Sequence, residues 1–478
     1  MAELLLLGPA ILGGGCLAVS VLEPRLRSRV IVTLAAVGIV GGASLAWFAR
    51  SGGWRTTALQ DAPALAPAGL AVAGAWALIV VLDRGRGRWD AAALVGVAST
   101  GLVLFAANRW AVPGLLFWLC SSAAMVAMAA HIRGRAWIWT AALLSDGAIV
   151  AALATSFSLT ETWTMPAPVA GAASLHLLAG AAIVRAGIVP RVGVWHTLES
   201  DAAPALPLLV GGSFVIVAGP AGRADPWIAF GVLALSAVVG ATAARGERGQ
   251  VSAAGAWFVA LMLGAALAAP GAADSAGIAA VLAAVLIALW PHSHGRGRAV
   301  RGLVLAALPM TAGFAAVAAG AAAAFERAVL LAPNGSAPWA LVAGTLPVVV
   351  GIGVVLGTRV ATQHGPDTLE PFATIATWCV GAVSVAVGVT VFAEVLGSSP
   401  GATTLLVVAV LAGVASALVV ARRASPPRVA IGTDFGLGLV GLGPRGDVAL
   451  SGIAALLAAL VVAGAAVLTV QGLRVGFL

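Results

Sequence analysis

The chain has 478 residues, is 61% hydrophobic and only 9% charged, and has a mean hydropathy of +1.05. A soluble domain needs far more polar surface, so these proportions exclude one and indicate an all-α, polytopic membrane protein. The net charge of +8 rests on 26 basic residues, all of them arginine. With so much Ala, Gly and Val this reads as the bias of a GC-rich genome, and it implies no nucleic-acid partner.

Crossing the hydrocarbon takes ~20 apolar residues in a helix. That requirement predicts spans near 3–22, 30–49, 63–82, 91–107, 110–130, 136–157, 169–189, 205–219, 227–244, 251–269, 276–290, 303–325, 336–357, 371–396, 402–421 and 448–469. Several are short, so the fold class is a membrane bundle of about 14–16 helices. Only Glu3, and no basic region, precedes the first run, so 3–22 is expected to be a retained span, not a cleaved signal. The polar stretch 422–447, with Pro426 and Pro427, reads as a loop, and 303–325 shows no obvious internal breaker. Nineteen arginines fall in loops after odd-numbered spans and six after even-numbered ones, with Arg185 inside the seventh span. The positive-inside rule then makes the odd loops cytoplasmic and places both termini outside.

Cys16, Cys120 and Cys379 lie in apolar runs without ligand spacing and read as small core residues. His292 and His294 stand among Arg296, Arg298 and Arg301, which reads as a solvated basic loop and not a metal site. No metal or cofactor motif appears in a credible context.

Three ionisable residues inside spans carry the chemistry. A charge at the bilayer centre costs at least ~2.5–3.5 kcal/mol, so such groups are kept for a purpose. Asp146 sits mid-span in LLSDGAIV, Arg185 lies toward the cytoplasmic end of the seventh span, and His176 lies deeper in that same span. Asp146 reads either as a proton site or as a carboxyl hydrogen-bonded to a neighbouring helix. Arg185 reads either as a fixed internal cation or as a side chain snorkelling to the surface. His176 is nine residues from Arg185 and so points to the opposite helix face. The short loop between the sixth and seventh spans makes Asp146 and Arg185 candidates for one internal cavity, paired or bridged by water.

The stretch 185–219, RAGIVPRVGVWHTLESDAAPALPLLVGGSFVIVAG, concentrates breakers and ionisable groups. Arg185 is followed by Pro190, Trp195, Glu199, Asp201 and the Ala203-Pro204 pair. This order resembles the signature of the proton-translocating, antiporter-like membrane subunits found in respiratory complex I, Mrp cation/proton antiporters, membrane-bound hydrogenases and bicarbonate-uptake complexes. There a lysine, a proline five residues on, a tryptophan and an alanine-proline pair precede a helix broken near mid-membrane. Asn108 and Trp118 match landmarks of the fifth span, and the surroundings of Asp146 resemble a Gly-Asp pair on the sixth. Glu247-Arg248, Phe325-Glu326-Arg327, and Arg359 with His364-Gly365 resemble later landmarks in the right order.

The resemblance implies inverted five-helix repeats with broken helices, Pro190 and Pro204 shaping one break. It implies N-terminal helices over 1–107, an antiporter-like core over 108–365 and C-terminal helices over 366–478. It also implies a cell inner (plasma) membrane location, protons or sodium as the ion, and a lipid bilayer with other membrane subunits and a peripheral cytoplasmic subunit as partners. Asp146, Arg185 and His176 become the ion-translocation residues, with no catalytic centre or cofactor of the chain's own. The short sequence after the last span, with no long lateral helix, favours a smaller relative, such as the bicarbonate-uptake type or a diverged hydrogenase-like or Mrp-like subunit.

The chain also departs from the family. Leu115 to Leu119 holds no glutamate, Gly211 and Gly212 occupy the region of a histidine, and 276–290 has no lysine. Arg185 replaces the essential lysine, and arginine keeps its proton in proteins. Two functions therefore stand open: an ion-translocating subunit coupled to a redox or inorganic-carbon partner, or a docking subunit that has lost pumping.

Overall fold

The computed structural model describes residues 24–50, 62–84, 89–108, 111–129, 135–160, 172–185, 205, 209, 225–245, 250–268, 273–289, 295–308, 310–330, 336–362 and 371–398. Among them there is no strand. The helices are α1 (Pro24–Arg50), α2 (Ala62–Arg84), α3 (Trp89–Asn108), α4 (Ala111–Ala129), α5 (Arg135–Thr160), α6 (Ala172–Arg185), α7 (Pro226–Arg245), α8 (Gln250–Ala268), α9 (Ala273–Ala288), α10 (Gly295–Leu305), α11 (Ala312–Leu330), α12 (Ser336–Thr362) and α13 (Pro371–Ser398). Most coincide with expected spans to within a few residues. The spans expected at 3–22, 402–421 and 448–469, the bulk of 205–219, and Cys16, Pro190, Pro204, Glu247, Arg248, His292, His294 and His364 lie outside the described residues.

Helix starts follow local chemistry. Pro24, Pro226 and Pro371 each open a helix, where the missing N–H is no loss. Asp225 caps α7, its Oδ1 accepting from the N–H of Trp227 at 2.9 Å and of Ile228 at 3.1 Å. The segments Arg29–Ala49, Trp139–Phe157 and Ala337–Val354 are each long and apolar enough to cross a membrane. Trp47 and Val40 on α1 and Ile375 and Trp378 on α13 are exposed, and an apolar surface of this kind is suited to lipid.

The described helices fall into two compact units. In the first, α1 to α6, each helix packs on the next in sequence. The α1–α2 crossing is close because Gly42 and Gly69 face each other: a Cβ on Gly42 would stand 2.5 Å from the Gly69 carbonyl oxygen, and one on Gly69 2.6 Å from that of Gly42. Small residues permit this approach where no water drives association. Toward its start α6 is pinned to α5, Ser174 Oγ donating to the Ala152 carbonyl at 2.8 Å.

The second unit, α7 to α13, corrects the reading of 303–325 as unbroken. The helix ends at Leu305 and restarts at Ala312, with Ala307 and Met310 at φ of 49° and 67° between the halves. The sequence holds Pro309 here, and a proline excludes helical backbone against the carbonyl four residues earlier, which is that of Leu305. Thr311 caps α11, its Oγ1 accepting from the Phe314 N–H at 3.4 Å and donating to the Leu308 carbonyl at 2.7 Å. Ser384 on α13 accepts from the Ala312 N–H at 3.2 Å, supplying a partner for a helix-start donor that has none within its own helix. A Cβ on Gly388, one turn further along α13, would run into the Met310 carbonyl, so glycine is needed for α13 to seat on the break.

Candidate functional site

The buried charge of the first unit sits where α4, α5 and α6 meet. Arg185 is 1% exposed and Asp146 is 3% exposed. Arg185 Nη2 lies 2.5 Å from Asp146 Oδ1, a direct ion pair. The same Nη2 donates to Ser122 Oγ, and Nη1 lies 3.2 Å from Met125 Sδ. The guanidinium carbon stands 4.6 Å from the centre of the Trp118 ring, over its face. Ser122 Oγ in turn donates to Asp146 Oδ1 at 2.5 Å.

Each side chain is placed by helical spacing. Trp118, Ser122 and Met125 fall at i, i+4 and i+7 on α4, so one face carries the ring, the hydroxyl and the thioether. Antiparallel packing of α5 and α6 sets Ala152 against Ser174 and brings Asp146 toward the later part of α6. At 1.5 Å per residue, Asp146 lies about 9 Å from Ala152 along α5 and Arg185 about 16 Å from Ser174 along α6. The long arginine side chain spans the difference by reaching back toward the middle of the bundle. It does not snorkel outward.

The outcome for each expected residue is plain. Asp146 and Arg185 are joined. His176, on α6, is exposed and stands apart from the pair, as its nine-residue offset requires. Pro190 and Pro204 are not described. The counter-charge that the resemblance leads one to seek on α4 comes from α5, and α4 contributes a serine. Sequence reading passed over Ser122 and Met125; the signal was their placement one and two turns after Trp118. Cys379 corrects the reading of the cysteines as core residues: it is exposed, and Cys120 is half-buried.

The second unit holds another buried cation. Arg301, expected in a solvated loop, is 1% exposed, because the helix α10 begins at Gly295 and carries Arg301 into the interior about one turn before the break. Further on, Arg327 donates from Nη1 to the Ala268 carbonyl at 3.0 Å and stacks 4.8 Å from the centre of the Trp339 ring, tying α8, α11 and α12 together. Among the described residues no group of three or more His, Cys, Asp or Glu side chains is placed to hold a metal ion.

No family model matches the sequence, and the curated proteins give no match. Solved structures do. A chain of the Mrp complex from Dietzia sp. DQ12-45-1b superposes with a TM-score of 0.63 at 11% identity, over 89% of this chain and 58% of that one. The chain has the antiporter-like fold. Respiratory complex I from Thermus thermophilus with bound aureothin contains a chain that matches with a TM-score of 0.55 at 21% identity, over 80% of this chain and 96% of that one. The protein thus spans 58% of the length of the Mrp chain and nearly all of the complex I chain. Both matches fall in the group of assemblies to which the 185–219 signature pointed.

As chemistry, the site is a net-neutral cluster in which Asp146 is the group able to gain and lose a proton. Arginine holds a fixed charge with planar donors, here divided among a carboxylate, a hydroxyl and a sulfur. Taking two charges out of water costs several kcal/mol per ion, offset only by close geometry and further hydrogen bonds. The Ser122 bridge and the Trp118 face supply both.

Proposed function

We propose that the chain is an ion-translocating, antiporter-like subunit of a multi-subunit membrane complex, with protons as the ion and sodium the alternative. The observation that supports this reading best is the buried Arg185–Asp146 pair, bridged by Ser122, inside the antiporter-like fold. Asp146 takes up and releases the proton, and Arg185 is the fixed charge that holds it ready. Arg301, beside the break between α10 and α11, is a buried charge of the second unit. His176, on the opposite face of α6, is the third ion-translocation residue of this reading, and Pro190 and Pro204 shape the first break.

In this reading residues 108–365 form the antiporter-like core, flanked by helices over 1–107 and 366–478. The chain resides in the inner (plasma) membrane with both termini outside. Its partners are other membrane subunits and a peripheral cytoplasmic subunit that converts a redox or inorganic-carbon substrate. The test is to isolate the complex through a tag on this chain, reconstitute it in liposomes, and follow internal pH after imposing a membrane potential. Co-isolated subunits and a flux lost on Asp146→Asn are the expected result. An unchanged flux overturns the reading.

One observation favours a second reading. A direct pair with a permanently charged arginine is also what a static anchor between three helices looks like, and the family's lysine is gone. In a docking subunit the pair would matter to assembly and not to flux as such. Assembly lost together with flux in every neutral variant of the pair, and flux never lost alone, would favour it.

A further inference from the structure

We infer that Ser122 is a two-position hydroxyl switch that keeps the Asp146 carboxyl hydrogen-bonded to α4 in both of its protonation states. The inference rests on the ion-translocating reading above and deepens it. Ser122 Oγ lies within hydrogen-bond distance of two acceptors: Asp146 Oδ1 at 2.5 Å and the Trp118 carbonyl of its own helix at 3.2 Å. A hydroxyl has one proton to give and two lone pairs to receive. One lone pair already accepts from Arg185 Nη2. The proton therefore serves one acceptor at a time, and the choice is made by rotation about a single bond.

The two settings follow from the charge on Asp146. With the carboxylate ionised, Ser122 donates to Oδ1, the stronger, charge-assisted bond. When a hydronium ion delivers a proton to Asp146, water leaves and the carboxyl gains an O–H of its own. Ser122 then turns its proton to the Trp118 carbonyl, which it shares with Ser121 Oγ at 2.6 Å. Its second lone pair is freed to accept from the new carboxyl O–H. Arg185 keeps its bond to Ser122 in both settings and stays protonated throughout. Without the hydroxyl, the neutral carboxyl would have no partner on α4 for its proton, and an unmet buried donor costs about 1–3 kcal/mol.

The groups around Asp146 leave this role to Ser122. On the described part of α6 the charged or titratable residues are Arg185, in contact, and His176, which is exposed. The described residues of α4 include one titratable side chain, Cys120, two positions from Ser122 and so on another face. On α5 itself the other charged residue is Arg135, eleven positions away.

The test compares Ser122→Ala and Ser122→Thr in the purified complex in lipid, by infrared difference spectroscopy across pH and by proton flux. Asp146→Asn assigns the band. The expected result is a protonated-carboxyl stretch in the wild type that is absent in Asp146→Asn and shifted to higher frequency in Ser122→Ala, where the carboxyl loses its partner. Ser122→Thr, which keeps the hydroxyl, restores the wild-type frequency. Flux falls about tenfold or more in Ser122→Ala, in line with one charged hydrogen bond, and recovers in Ser122→Thr. If Ser122→Ala does not assemble, Ser122→Cys, similar in size and a weak acceptor, replaces it with the same expectation.

Flux lost in Asp146→Asn but retained in Ser122→Ala, with the band unmoved, overturns the switch and leaves the translocation reading standing. Equal loss in the alanine and threonine variants with an unmoved band means packing alone and also overturns it. No carboxyl band at any pH at which the complex stays folded overturns it too. Flux unchanged in Asp146→Asn removes the translocation reading, and the switch with it.

Discussion

Replacing Asp146 by asparagine leaves Arg185, 1% exposed, with its charge uncompensated in the bundle. With the pair in direct contact, at 2.5 Å between Nη2 and Oδ1, the centres of charge lie about 4 Å apart, an attraction of about 4 kcal/mol at an effective dielectric near 20. Breaking a buried pair from one side costs about 3–5 kcal/mol for the same reason. Asp146→Asn and Arg185→Met should each therefore lose about 4 kcal/mol. The double variant Asp146→Leu with Arg185→Met removes both charges at similar volume and should be close to neutral. Unfolding in lipid by heat or detergent, followed by the loss of helical circular dichroism, measures all three. Losses below about 1 kcal/mol in the single variants, or single losses that simply add in the double, would refute the claim that these charges are coupled.

Four further outcomes are expected. Arg185→Lys keeps the charge but not the fork that reaches Asp146, Ser122 and Met125 together, and should lose about 1.5–3 kcal/mol in the same unfolding assay. Gly388→Val should cost ~1–3 kcal/mol as the side chain pushes α13 off the Met310 carbonyl, seen as lower thermal stability. Ser384→Ala strands the Ala312 N–H and should cost about 1–3 kcal/mol, read as faster amide exchange at the start of α11. A cysteine at position 86 should react with an impermeant thiol reagent from the cytoplasmic side alone and one at position 55 from the outside alone, if the arginine bias sets the topology.

Most of the fold was legible because a bilayer demands long apolar runs, and such runs survive in sequence when little else does. Spans such as 371–396 fall almost on α13. The break between α10 and α11 was harder to see, since Ala307 and Met310 are apolar and Pro309 stands alone in a hydrophobic run. What maintains the break is a serine and a glycine some 70 residues away on α13, a tertiary contact with no local signature. The same reason hid Arg301. A cluster of arginines between apolar runs has the composition of a loop, and only the start of α10 at Gly295 turns Arg301 inward. For the site, Asp146 and Arg185 were legible as charges in the wrong solvent. Ser122 was not, because a serine in a membrane helix ordinarily satisfies itself on its own backbone.

The most direct measurement is proton flux through the assembled complex carrying both Asp146→Leu and Arg185→Met, in liposomes under an imposed potential. This pair of changes keeps the fold and removes the charges, so stability and transport separate. The account predicts a complex that assembles with its full set of subunits and conducts no protons above the leak of empty liposomes. A double variant that assembles and conducts like the wild type would contradict it, and the three-helix cluster would then be an anchor only.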